Sequence, residues 1–196
     1  MTSDFLADEC AHVELAARLA MELGGGAPRM IDLDRYAMRP RGGTALQRAN
    51  ELVLRVSAVS EAFTGGTASI SFASTTHPLP RAVYETILRD EAHHRRLAGL
   101  YFEWALSRID EAELARLGRM LLSALRGLTA FWKNKSSKPR AQQWKDEELS
   151  ALGWLGPVRF AGVAKEVVVR DILDPLATIG ITISAEDRAD LLSDEV

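Results

Sequence analysis

A Glu three residues ahead of a His occurs twice in the chain: Glu9-x-x-His12 in "ADECAHVELAARLA" and Glu91-x-x-His94 in "ILRDEAHHRRLAGLYFEWAL". At that spacing on a helix the two side chains are neighbours on one face, with Cβ atoms about 5–6 Å apart. Both pairs fall on the apolar side of their pattern. Tyr84, Ile87, Leu88, Ala98 and Tyr101 share the face of the second pair, whereas Glu85, Arg89 and Arg96 lie opposite and His93 reads as solvent-facing. Phe5, Ala16, Leu19 and Leu23 share the face of the first, with Asp4, Glu14 and Arg18 outside it. Acids and imidazoles turned toward a core require hydrogen-bond partners or a metal, because burying them unpaired is costly. With fifteen Glu and four His in 196 residues, about 0.3 such pairs are expected by chance, so two on apolar faces are informative.

A di-metal carboxylate site in a helical bundle takes a Glu from each of two helices and a Glu-x-x-His from each of two more. Bridging carboxylates hold two divalent ions a few ångströms apart, and each ion takes one neutral imidazole. Glu61, in "LRVSAVSEAFTGG", supplies a further acid on a face lined by Ser57, Ala58, Gly65 and Ala68. Such small residues leave room for a metal, water or substrate; equally, they allow close helix–helix contact with no site. Gly65-Gly66 within a helix predicts a kink beside Glu61. Glu51 sits on a different face.

The elements that must position these residues all read as helices. The first spans about Ser3 to Leu23 and stops at "GGGAP", where glycine can adopt a left-handed cap. A connection of about twenty residues follows, long for a compact bundle, with Ile31, Leu33 and Tyr36 as surface anchors. Thr44 and Gln47 form a capping box that opens a second helix running to about Ser74. "TASISFAST" has strand-like composition but continues that helix and has no partner strand. "THPLP" breaks it, and Pro80 suits the first turn of a third helix to about Arg108. Asp110 and Glu113 cap a fourth, ending near Lys133. These readings give a bundle core over 1–133 and a linker over 134–156, including the polar "KNKSSKPR". Residues 157–196 are then a C-terminal helix ending before Gly180 and an acidic, frayed tail on the same domain.

Bulk properties narrow the function classes. The hydrophobic fraction of 47% and charged fraction of 26% are those of an ordinary globular chain with one sizeable core. A net charge of −3 provides no global attraction to nucleic acid or an anionic membrane. No apolar run approaches the roughly 20 residues of a membrane span. The N-terminus lacks the pattern of a signal peptide, and the lone Cys10 excludes an internal disulfide; a cytoplasmic location is the expectation.

Taken in order along helices, Glu9-x-x-His12, Glu61 and Glu91-x-x-His94 resemble the ferritin-like superfamily of non-haem di-iron carboxylate proteins. "DECAHVELAARLAMELGG" and "RAVYETILRDEAHHRRLAGLYFEWAL" are most similar to bacterial ferritin-like proteins related to p-aminobenzoate N-oxygenases, and "LGWLGPVRFAGVAKEVVVRDILDPLATIGI" resembles the C-terminal helix of that group. The resemblance implies an all-α, ferritin-like bundle of up-down helices with additional C-terminal helices. It implies that Glu9, His12, Glu61, Glu91 and His94 are metal ligands for two iron ions, with manganese the alternative, since carboxylates with imidazole favour these over zinc. The implied function is O2 activation by an oxidoreductase or oxygenase acting on a small organic substrate. Tyr84 and Tyr101, on the ligand face, could shape a pocket or relay an electron; aromatic stripes at helical spacing also serve as core.

The chain departs from the family at two points. It opens at what resembles the family's second helix, so a sixth ligand would come from a partner chain, from Glu113 or Glu166, or from a segment outside this sequence. The N-oxygenases place a further His one turn before the last Glu, where this chain has Ile87. The alternative function is a metal-free or half-site interaction subunit. Its occupant, a second copy or a partner subunit, would fill the groove left by the missing helix.

Overall fold

The computed structural model describes residues 2–26, 39–41, 43–133 and 145–193; the Ile31, Leu33 and Tyr36 anchors and most of the "KNKSSKPR" linker lie outside them. Among the described residues the chain is all-α and builds a helical bundle, with no strand. No helix among them is long and apolar enough to cross a membrane.

Helix α1 spans Thr2–Glu22. Gly24, at φ +80°, closes it: its N–H donates to the Met21 carbonyl at 3.0 Å and that of Gly25 to the Ala20 carbonyl at 2.7 Å. This is a Schellman cap, which only a residue tolerant of positive φ forms without strain. Thr44 and Gln47 then cap α2 (Ala45–Val53) reciprocally, as the capping-box pattern requires. The backbone widens into a π-helical segment, Leu54–Glu61, and returns to α-geometry in α3, Ala62–Ser74. The Gly65-Gly66 pair lies within α3 and does not interrupt it; the irregular turn comes before Glu61 instead of after it. Gly66 is required for packing: a Cβ there would come within 2.6 Å of both Val167 Cγ1 and Asp171 Oδ2.

Helix α4 runs Pro78–Ala105, starting two residues earlier than Pro80, with the His77 ring accepting a hydrogen bond from the Leu79 N–H. Helix α5 covers Glu111–Lys133, and Asp110 accepts from the Glu113 N–H at 2.8 Å. Within the segment read as linker, Asp146–Ala151 forms a short α6 whose last carbonyl accepts from the Thr76 and His77 N–H groups, tying down the α3–α4 turn. Helix α7 (Pro157–Val167) passes through a second π-helical segment, Val168–Leu173, into α8 (Asp174–Thr178). The acidic tail is a docked helix, α9 (Ala185–Leu192), capped by Ser184. Burial explains why it is ordered: Ile181 and Leu191 are almost fully removed from solvent and outweigh the cost of fixing the segment.

The core lies between the α2–α3 helix, α4, α5 and α7. Leu117, Leu121 and Leu125, one turn apart on α5, meet Leu54, Val59 and Phe63, with Phe102 from α4 and Val167, Val168 and Ile172 completing the layer. Helix α1 packs on α4. Its inner stripe is shorter than the pattern suggested, since Ala16 and Leu23 are exposed while Phe5, Glu9, His12 and Leu19 are not.

Candidate metal centre

The α1–α4 contact positions the chemistry. Helical periodicity turns Phe5, Asp8, Glu9 and His12 of α1 toward Asp90, Glu91 and His94 of α4, and the π-helical turn delivers Glu61 from the side. Glu9, Glu61, Glu91 and His94 each offer a ligand atom, and these atoms lie within 4.8 Å of one another. His94 is 1% exposed, Glu91 6% and His12 8%.

The two imidazoles are held in the same way. His94 Nε2 lies 3.3 Å from Asp8 Oδ2, across the helix pair, and its Nδ1 faces Glu9 Oε1 at 3.1 Å and Glu91 Oε2 at 3.7 Å. His12 Nε2 lies 3.4 Å from Asp90 Oδ2, and its Nδ1 faces Glu91 Oε1 at 3.5 Å and Glu9 Oε1 at 3.8 Å. An ionised Asp only accepts, so each one selects the Nε2–H tautomer and turns the Nδ1 lone pair toward the carboxylates. This arrangement, a carboxylate behind an imidazole, orients metal-ligating histidines. Phe5 stacks on the His94 ring at 3.7 Å, 16° from parallel, and covers its outer face.

Three polar atoms inside the cluster lack a hydrogen-bond partner. His94 Nδ1, Glu91 Oε2 and Glu9 Oε1 are buried with no hydrogen bond, the 3.1 Å approach being off the line of one. Lone pairs converging on lone pairs are unfavourable unless a proton or cation lies between them. The acids respond accordingly. Glu91 is pushed up to about 8 by burial, by a hydrogen bond with Glu61 and by the negative charges of Glu61 and Glu9, with Arg95 opposing. Burial and then Glu61 also raise Glu9, against His12 and His94. The donor set of carboxylates plus neutral imidazole, already gathered and short of positive charge, fits a divalent transition metal.

The five sequence-derived ligand candidates therefore lie together. The tyrosines do not join them. Tyr101 donates to Asn50 Oδ1 at 2.8 Å, and Tyr84 packs beside Gly153 and Thr75. Neither proposed substitute ligand is present: Glu113 is bound by Arg116 and Asn50, and the exposed Glu166 pairs with Arg170 at 3.0 Å. Asp8 and Asp90 are the residues that the spacing argument missed. The signal was a longer shared motif, Asp-Glu-x-x-His in both helices, whose first residue is rotated about 100° from the Glu toward the neighbouring helix.

A second buried polar cluster lies further along α4. Asn50 and Glu51 are both 0% exposed. Arg116 donates to both Glu113 oxygens, at 2.7 and 2.8 Å, and to the Gln47 carbonyl at 2.9 Å; Asn50 donates to Glu113 at 2.8 Å. Glu51 accepts from the Arg41 N–H at 2.8 Å and lies 3.6 Å from both Arg55 and Arg116.

No family model, no curated protein and no solved structure matches the chain in sequence or structure comparison.

Proposed function

We propose that the chain is a ferritin-like di-metal protein. Glu9, His12, Glu61, Glu91 and His94 hold two ions, iron or manganese, and the centre activates O2 to oxidise a small organic substrate. The observation that carries this reading is His94 Nδ1, buried without a hydrogen bond among Glu9, Glu61 and Glu91, with its far nitrogen already fixed by Asp8. A redox-active pair bound there would supply O2 binding and electrons. The chain's own residues do the rest: Asp8 and Asp90 orient the imidazoles, Phe5 shields the His94 ring face from water, and Glu91, hydrogen-bonded to Glu61, holds a proton that a cation would displace.

Elemental analysis of protein purified without chelator tests this. About two iron or manganese ions per chain are expected, lost in the Glu91→Ala, His94→Ala double variant. No bound metal, with the variant equally stable, would sink the proposal.

A second reading is favoured by the outer face of α1. Leu6, Val13 and Met21 are 69%, 66% and 63% exposed on a helix whose other face is committed to α4. As an interaction subunit, the chain would pair with a second copy or a partner over this stripe, and its mass in solution would rise with concentration.

A further inference from the structure

We propose, resting on the metal reading above, that the two halves of the centre are unequal: an ion binds first and tightly beside His94, and a second binds more weakly beside His12. The chain would then be mononuclear at limiting metal and dinuclear only when metal is abundant.

The inference follows from how the acids are distributed. Glu91 straddles the centre, with Oε1 facing His12 at 3.5 Å and Oε2 facing His94 at 3.7 Å. Glu9 Oε1 also serves both rings, at 3.1 Å from His94 and 3.8 Å from His12. These two carboxylates are shared. Glu61 is not: it completes a group with Glu9, Glu91 and His94 whose ligand atoms lie within 4.8 Å of one another, and His12 falls outside that group. An octahedral ion with bonds of about 2.1 Å separates opposite ligands by about 4.2 Å, so this group needs only a small contraction to enclose one ion.

The His12 half has no equivalent of Glu61. Among the described residues, the remaining acid against His12 is Asp90, and it lies on Nε2, the side of the ring facing away from the shared carboxylates. A second ion would therefore rely on one imidazole and on Glu9 and Glu91, which the first ion already draws on, and it would be repelled by that ion's charge. The His94 half is also the drier one, because Phe5 stacks on its ring. Loss of one negative ligand and the presence of a like charge act in the same direction.

Manganese(II) titrated into the metal-free chain provides the test, followed by calorimetry and by electron paramagnetic resonance. The expected isotherm has two steps, the second weaker by about tenfold to a hundredfold, on the order of what a single supporting carboxylate contributes. The spectrum at one equivalent should be that of isolated manganese, and spin coupling should develop only with the second equivalent. His12→Gln should remove the second step and leave the first within a few-fold, whereas Glu61→Gln should weaken the first. Binding of two ions in one indistinguishable step, or coupling from the first addition, would overturn the inequality while leaving the metal reading intact. No binding to the native chain would overturn both. Should a variant fold poorly, the native isotherm and spectrum decide between these outcomes without it.

Discussion

Two carboxylate clusters are buried along α4, roughly 10 Å apart by helical rise between His94 and Tyr101, and they resolve the same problem in opposite ways. Around Glu113 the charges balance: Glu51 and Glu113 meet Arg55 and Arg116, Asn50 and Gln47 donate to Glu113 and Tyr101 donates to Asn50, while Glu51 Oε1 and Arg55 Nε face each other at 3.6 Å without a hydrogen bond. Around Glu91 they do not. Glu9, Glu61, Glu91, Asp8 and Asp90 face two imidazoles, with Arg95 as the opposing cation at Glu91 and the exposed Arg89 3.5 Å from Asp90. The first cluster is charge-balanced without a ligand and joins α2, α4 and α5. The second is unfinished without a proton or a metal, and a chain that gathers three glutamates on one buried imidazole in a helix interface sacrifices stability there. Their titration behaviour separates them in the same way, since Arg116 and Asn50 hold Glu113 below the usual carboxylate range while Glu91 is held far above it.

The sharpest way to break the comparison is to unbalance the cluster around Glu113. Arg116→Met should lower stability by about 2–3 kcal/mol in urea denaturation at neutral pH, because it strands Glu113 without its cation and leaves Glu51 with Arg55 as its cation. A loss below about 0.5 kcal/mol would mean the cluster is looser than its geometry. Next in size is Asp8→Asn, which removes the charge behind His94 without touching the α1–α4 apolar contacts. Manganese affinity should fall by about tenfold or more, with the metal-free melting temperature little changed. An unchanged affinity would show that Asp8 does not set the imidazole.

The smallest effect has the opposite sign from ordinary core damage. Glu91→Gln should stabilise the metal-free chain at pH 7.5 by about 1 kcal/mol, since the amide replaces a carboxyl that the fold keeps protonated. The sign follows from linkage. Glu91 is raised from 4.5 to about 8, so its contribution is fully present below about 4.5 and is lost as pH rises through about 8. Glu113 is lowered, so its contribution is present above the ordinary carboxylate range and lost as pH falls. The Glu91→Gln advantage should therefore grow from acid to neutral pH in thermal scans, and destabilisation at all pH values would refute the protonated-carboxyl account.

Much of the site was legible in the sequence because helical spacing alone aligns i and i+3 side chains. Glu9 with His12 and Glu91 with His94 needed no tertiary information to be paired, and the apolar faces indicated that both turn inward. Glu61 followed from its small neighbours, although the irregular backbone beside it was assigned to the wrong side. The glycines at 65 and 66 pointed to a kink in the sequence, whereas in the fold Gly66 answers to the approach of Val167 and Asp171. The Asp8 and Asp90 contacts were not legible from spacing, because each aspartate acts on the histidine of the other helix and only the packed pair brings them within reach. The same holds for the balanced cluster. Glu51 looked like an off-face acid until Arg41, Arg55 and Arg116, distant or on neighbouring turns, converged on it. The tail misled for a related reason: its acidic surface hides Leu191, whose value depends on a docking site on α5 that local pattern does not contain.

Proton release on metal binding tests the central claim most directly, namely that the Glu91 cluster is completed by a cation in place of a proton. In a weakly buffered titration of the native chain with manganese(II) at pH 7, about one proton should appear in solution per first ion bound, and the release should fade above pH 9, where Glu91 has already ionised. Manganese binding without proton release at pH 7, or no binding at all, would contradict it.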